Sequence, residues 1–196
     1  MSDTSLPRRV VVQGKKRIFD GFFKIDEAEL SYERFDGSMT PTLKRLCFER
    51  GDSVAAIIKV RDSGGLIFLR QFRYPTFDKG PGWIVEIVAG MQEHGEAPEL
   101  SLRREILEEI GYEAELIEPI ATFYVSPGGS SERIHLFYAE VSTAGKIAAG
   151  GGLVEENEDI QTISYSPAEL EQALARGEIQ DAKTLVGIYW LRARER

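Results

Sequence analysis

Cysteine, histidine and long apolar runs are scarce in this chain, and each shortage excludes a class of function. A single cysteine, Cys47, leaves no partner for an intrachain disulfide. The two histidines, His94 and His135, lie far apart, and no Cys/His cluster has zinc-site spacing. No apolar run approaches the ~18–20 residues of a membrane-spanning helix. The opening MSDTSLPRRVVVQGKKR is basic but lacks the apolar stretch of a signal peptide, so a cytoplasmic location is expected. Positive charge is short as well. With a net charge of −8, binding to nucleic acid or to an anionic membrane through a basic patch is disfavoured. The same deficit makes an anionic substrate hard to hold unless bound cations help.

What is present is enough chain for one core. At 196 residues, one domain with an N-terminal extension is expected, the extension over 1–52 and the main domain over 53–196. Residues 8–51 read as several strands: FKIDEAELSYERF alternates apolar and polar residues, FDGSM turns, and TLKRLCFE resumes an extended run. VAAIIKV (54–60), the turn DSGG and LIFLRQFR (66–73) suggest a buried hairpin. WIVEIVAG (83–90) reads as one further strand. EAELIEPIATFYVS and ERIHLFYAEVS read as two more strands around SPGGSS, and AAGGGLVEENEDI as a glycine-rich acidic connection. IQTISYS is a strand, PAELEQALARGE a helix opened by Pro167, and AKTLVGIYWLRARER a last helix. Strands, one helix, more strands and then helices favour an α+β class over a regularly wound parallel sheet.

The stretch GMQEHGEAPELSLRREILEEIGY, residues 90–112, crowds six glutamates together. From Pro98 to Ile110 its apolar residues recur at helical spacing, with Leu102, Ile106 and Ile110 on one stripe and Leu107 beside them. Glu105, Glu108 and Glu109 then share a face, where like charges cost roughly 0.2–0.5 kcal/mol per pair. A solvated acidic face is the ordinary reading of such a helix. Against it stand the preceding glycine loop, Arg103 and Arg104 beside the cluster, and the later carboxylates of EENED. Hard oxygen ligands gathered on a rigid face suit Mg²⁺ or a similar ion, which would turn the repulsion into attraction.

The spacing goes further. Gly90, Glu96, Arg104, Glu105, Glu108, Glu109 and Gly111 fit Gly-x5-Glu-x7-Arg-Glu-U-x-Glu-Glu-x-Gly-U, U being bulky and aliphatic. Ile106 fills the first U, while Tyr112 departs from the second. This resembles the Nudix box. The resemblance implies a Nudix fold, with a mixed sheet between helices and a β-rich N-terminal extension. It also implies Mg²⁺- or Mn²⁺-assisted hydrolysis of a nucleoside diphosphate linked to another group. Outside the box, FDGFFKID, FERGDSVA, LRQFRYP, VEIVAGM, SPGGSSER and VEENEDI resemble bacterial ADP-ribose pyrophosphatases. The related GDP-mannose pyrophosphatases share the SPGG loop and a GEI-x-D-x-KT ending, matched here by GEIQDAKT (177–184). A further alternative is a Nudix fold kept as a ligand-sensing module, although such modules often lose box carboxylates that this chain retains.

By that resemblance Glu105, Glu109, Glu158 and the Ala89 carbonyl are implied metal ligands. Glu156 is implied as the residue that activates water, and Glu108 as a ligand of a further ion or an orienter of water. Glu96 and Arg104 are expected to brace the box as an ion pair. Arg45, Leu46, Arg50 and Arg73 match family positions near the substrate, and Phe22 and Phe23 the part that stacks on adenine. Met91, Ser126, Gly128 and Glu132 are implied around the diphosphate and terminal ribose. Surface solubility remains a reading for Arg50 and Glu132, as does solvated charge for EENED, while His135 and LIFL read as structural. The expected partners are a nucleoside diphosphate sugar and a second copy of the chain in a homodimer, with neither nucleic acid nor membrane.

Overall fold

The computed structural model describes residues 9–195, except that nothing is said of the side chain of Glu156. It divides into two compact units, one through Gly51 together with Ser126–Glu132, the other Asp52–Val125 with Arg133 onward.

The second unit is built on a seven-stranded mixed sheet. Its strands are β4 (Ser53–Val60), β5 (Leu66–Phe72), β6 (Trp83–Glu86), β7 (Val88–Met91), β8 (Leu116–Tyr124), β9 (Arg133–Val141) and β10 (Gln161–Tyr165). The order is β10-β5-β4-β9-β8, with β6 paired to β5 and β7 to β4. Only β4 and β9 run parallel among these pairings. Four helices join them: α1 (Tyr74–Phe77), α2 (Pro98–Ile110), α3 (Pro167–Ala175) and α4 (Ala182–Arg194).

Strand alternation places the layers. Along β4, Val54, Ala56 and Ile58 pack with Leu102, Ile106 and Ile110 of α2. The intervening Ala55 and Ile57 face Leu170 and Ala173 of α3 and Ile188 and Leu191 of α4. The sheet is therefore sandwiched between α2 and the pair α3–α4. Leu102, Ile106 and Ile110 are fully buried. Burying each such side chain contributes about 1.5–3 kcal/mol, which outweighs the few tenths per like-charge pair on the same helix. Pro98 begins α2, and Gly111 ends it in a left-handed conformation (φ 77°). A Cβ at Gly111 would meet the Ala148 carbonyl oxygen at 2.1 Å, so the turn admits only glycine.

WIVEIVAG is not one strand. It is broken at Ile87, because β4 and β5 pair with each other only at Ile58↔Ile67 and Lys59↔Leu66 and the segment bridges their divergence. At the break the Ile87 N–H donates to Thr184 Oγ1 at 2.9 Å instead of to a strand. Helix α1, which lacks any apolar periodicity, and the 3₁₀ turns Thr143–Gly145 and Val154–Glu156 are elements that the sequence pattern did not announce.

The first unit is a three-stranded antiparallel sheet of β1 (Val10–Asp20), β2 (Lys24–Tyr32) and β3 (Leu43–Glu49), in that order. Asp26 on β2 is buried between Arg17 Nε and Lys15 Nζ, each 2.9 Å away. Ser126–Glu132 joins this unit through Phe48, whose N–H donates to Gly129 O at 2.8 Å and whose carbonyl accepts from Ser131 N at 3.2 Å.

Candidate active site

The helical period of α2 turns Glu105 and Glu109 inward, beside the apolar stripe, so that they are 9% and 3% exposed. Glu108 stays half-buried. Gly90 sits against Glu105: a Cβ there would lie 1.9 Å from the Glu105 carboxyl carbon. That contact is the local reason for a glycine at the end of β7. Ala89 N–H donates to Glu109 Oε2 at 3.1 Å, tying the same strand to the second carboxylate.

These carboxylates ionise with difficulty. Burial pushes the Glu105 carboxyl up to about 7; Arg104 opposes the rise, and Glu108 and Glu158 add to it. Glu109 is driven well above the ordinary carboxylate range, first by burial and then by Glu105, while the Ala89 N–H and Arg73 pull the other way. Glu158, half-buried, receives the Leu153 N–H at 2.9 Å, and Gly152 leaves no room for a Cβ beside it. The loop is anchored to the helix that it faces. Gly151 N donates to Glu109 O at 2.9 Å and Gly152 N to Glu108 O at 3.1 Å, using carbonyls that the helix end leaves open.

A hard divalent cation suits this donor set of buried, mutually repelling carboxylates. Glu105, Glu109, Glu158 and the Ala89 carbonyl supply oxygen only. Among the described residues no three acidic or imidazole groups already converge as a cage. Glu105 is instead turned to Arg104, 2.8 Å from its Nη1, so holding an ion requires it to change partner.

Arg104 makes the expected ion pair with Glu96 and two shorter ones besides. Its Nη1 lies 2.8 Å from Glu105 and 3.1 Å from Glu108, whereas Glu96 is 3.9 Å from its Nη2. Glu96 accepts from Ser101 Oγ at 2.5 Å, and its carbonyl accepts from Gln92 Nε2 at 2.6 Å. It therefore braces the start of α2, and Arg104 serves the acidic face. Met91 is 45% exposed, and its carbonyl accepts from Arg104 Nη2 at 3.3 Å.

Arg73, just past β5, donates from Nε to Glu86 Oε1 at 2.7 Å, and its charge is felt at Glu109 and Glu158. Glu86 was not among the expected site residues; the available signal was a lone carboxylate inside the apolar WIVEIVAG. His135 is held by Thr122 Oγ1 at 3.0 Å, and Leu66–Leu69 is buried, in keeping with structural roles for both.

The other expected substrate residues lie in the first unit. Phe22, 87% exposed, meets Phe23 edge-on at 4.8 Å. Phe23 packs on Phe48 at 5.0 Å, with the Arg50 guanidinium 5.8 Å from its ring centre. Arg50 Nε is 3.5 Å from Glu132, whose side chain is largely covered, so both belong to a packed pair rather than to open surface. Arg45 and Leu46 are exposed on β3, and Ser126 and Gly128 are exposed in their loop. The structure thus gathers Phe22, Phe23, Arg50 and Glu132 in one unit and Arg73, Glu105, Glu108, Glu109 and Glu158 in the other. The backbone of Glu156 ends the Val154–Glu156 turn, and its side chain lies outside the described residues.

Comparison with known proteins bears on the family and the fold. An ADP-ribose pyrophosphatase of Escherichia coli (strain K12) is 34% identical over 93% of this chain and 87% of its own length. A GDP-mannose pyrophosphatase of Cronobacter sakazakii is 33% identical over 91% of the chain and 93% of its own. A crystal structure described as an ADP compounds hydrolase shares the fold with a TM-score of 0.74, at 16% identity over 97% of this chain and 96% of that one. The NUDIX domain profile matches residues 50–186, which include the whole acidic helix and its loop, and the chain belongs to the Nudix family.

Proposed function

We propose that this chain hydrolyses nucleoside diphosphate sugars in a divalent-metal-dependent reaction, with ADP-ribose as its substrate and AMP and ribose 5-phosphate as products. The buried Glu105–Glu109 pair carries the reading, because two carboxylates with raised pKa values gain most from a cation between them and a diphosphate. Mg²⁺, with Mn²⁺ able to replace it, would be held by Glu105, Glu109, Glu158 and the Ala89 carbonyl, and would supply charge neutralisation at the diphosphate.

The chain's own groups then do the rest. Arg73 offers its terminal N–H donors to a phosphate oxygen while Glu86 holds its Nε. Phe22 and Phe23, with Arg50 against the latter ring, form an apolar and cationic platform for a base. Glu156 takes a proton from the water that attacks phosphorus, the anhydride P–O bond breaks, and the bridging oxygen leaves with the other phosphate.

A GDP-mannose substrate has in its favour a GDP-mannose pyrophosphatase at 33% identity and the GEIQDAKT match. The structure gives those residues other work. Asp181 caps α4 by accepting from Thr184 N at 2.9 Å, Thr184 Oγ1 satisfies Ile87, and Lys183 pairs with Glu86. A motif occupied in joining α4 to the sheet says little about guanine or mannose. A side-by-side assay of ADP-ribose and GDP-mannose with Mg²⁺ is expected to give ADP-ribose the higher kcat/KM. The opposite ranking would transfer the assignment to GDP-mannose, and full activity in excess EDTA would remove the metal from it.

A further inference from the structure

Arg73 and Glu86 belong to a charged cluster whose third member, Lys183, has no part in the roles above. Glu86, at the end of β6, is 6% exposed, and Lys183 beside it on α4 has a side chain only 13% exposed. Lys183 Nζ donates to Glu86 Oε2 and lies 3.1 Å from Asp181 Oδ1, while Arg73 Nε donates to the other Glu86 oxygen at 2.7 Å. One carboxylate thus bridges two cations, one on each oxygen. Among the described residues no hydrogen bond occupies the terminal nitrogens of Arg73, whose side chain is 42% exposed.

The attachment is one-sided. Arg73 is fixed at Nε and free at the end of its fork, and a guanidinium held in this way presents two donor nitrogens in a fixed plane. The same short stretch, Glu86 to Ala89, is pinned three times: by Lys183 at Glu86, by Thr184 at Ile87, and by Glu109 at Ala89. The N-terminus of α4 thereby holds the stretch that carries both Glu86 and, at Ala89, the hydrogen bond to Glu109. A buried pair of this kind is costly in desolvation and is poor evidence of stabilisation by itself, which makes a positional role worth its presence.

We propose that Lys183 and Glu86 are positioning residues that act through Arg73: their buried pair fixes the guanidinium so that its terminal nitrogens receive a substrate phosphate. The proposal rests on the assignment of diphosphate hydrolysis above, and its test separates the two. The first readout needs no turnover. The Arg73 Nε–H signal in a ¹H–¹⁵N spectrum, assigned by its loss in Arg73→Lys, is expected to be sharp at neutral pH in the wild type and lost or broadened in Lys183→Met. An unchanged signal in Lys183→Met overturns the proposal whatever the enzyme hydrolyses.

The second readout is a double-mutant cycle on whichever of ADP-ribose or GDP-mannose the wild type turns over. In the wild-type background Lys183→Met is expected to lower kcat/KM about tenfold, mainly through KM, and in Arg73→Ala by less than about twofold. Equal losses in the two backgrounds would mean that Lys183 serves the fold alone and would overturn the positioning role. If Lys183→Met does not fold, the near-isosteric Glu86→Gln is put through the same spectrum and cycle, with the same expectations and the same refutations. Failure of the wild type on ADP-ribose counts against the assigned substrate and leaves the spectral result standing.

Discussion

Burial disfavours the ionised form of two carboxylates on adjacent turns of one helix, and that effect has a measurable sign. For Glu105 and Glu109 the folded-state pKa lies above the unfolded value, so the metal-free fold binds protons that the unfolded chain would release. Stability must then fall as pH rises from the unfolded carboxyl range through the folded value, which for Glu105 is about 7. Glu86 has the opposite sign. Burial pushes its carboxyl up, but Lys183 and Arg73 together bring it below its ordinary value, so its contribution is present at neutral pH and lost on acidification. In EDTA the wild-type Tm is expected to fall between about pH 5 and about pH 8, and Glu109→Gln to reduce that fall. Added Mg²⁺ should raise Tm in the wild type and raise it less in Glu109→Gln. An equal rise in both proteins would deny Glu109 a place among the ligands. The residues of this face were legible because a helical period puts Glu105 and Glu109 together. Glu86 was not, because its partners Arg73 and Lys183 come from β5 and α4 and no local spacing joins them.

Elements differ in how much of themselves they write into the sequence. Helix α2 was readable to its ends, since Leu102, Ile106 and Ile110 mark the buried stripe, Pro98 opens it and Gly111 closes it. WIVEIVAG was misread as continuous because its break depends on a distant hydroxyl, that of Thr184, and on where β4 and β5 part. The loop after β9 lies between these cases. Its glycines were visible, while the reason for them, a close approach of Gly150 and Gly151 to the end of α2, is a tertiary fact. That approach makes loop and helix one functional element, and it divides two candidates for the base between them. Glu108 Oε2 already accepts a hydrogen bond from Arg104 Nη1 at 3.1 Å, so that oxygen is occupied. Glu156 follows three glycines with positive φ, Gly150, Gly151 and Gly152, on the loop that Gly151 and Gly152 fasten to the end of α2. Glu156→Gln is expected to lower kcat about 10²–10⁴-fold with little change in metal affinity. Near-native kcat in Glu156→Gln, with loss of activity in Glu108→Gln, would place the base on the helix.

For the whole molecule the open question is what covers β1. All eleven of its residues are exposed, and as an outer strand of its sheet it carries Val10, Val11, Val12, Ile18 and Phe19 at 42–59% exposure. Lys15, Lys16 and Arg17 blunt its middle, but the apolar ends are the kind of strand edge that proteins normally protect. The sequence announced a β-rich extension here. It did not announce that Ser126–Glu132 folds with it, since the pairing of Phe48 with Gly129 closes a loop of about eighty residues. We propose that a second copy covers this edge, giving a homodimer in which Phe22 and Arg45 of one chain serve the acidic helix of the other. Sedimentation at assay concentration is expected to give a dimer. The sharper measurement mixes Arg45→Ala chains with Glu109→Gln chains, each expected to be nearly inactive as a homodimer. If a site draws on two chains, random pairing leaves mixed dimers in which one site carries both lesions and the other carries neither, so activity returns on mixing and subunit exchange. If each site belongs to one chain, every site keeps a lesion whatever the pairing, and mixing restores nothing. A fully active monomer would refute the dimer, and a dimer without recovery would keep the covered edge while confining each site to a single chain.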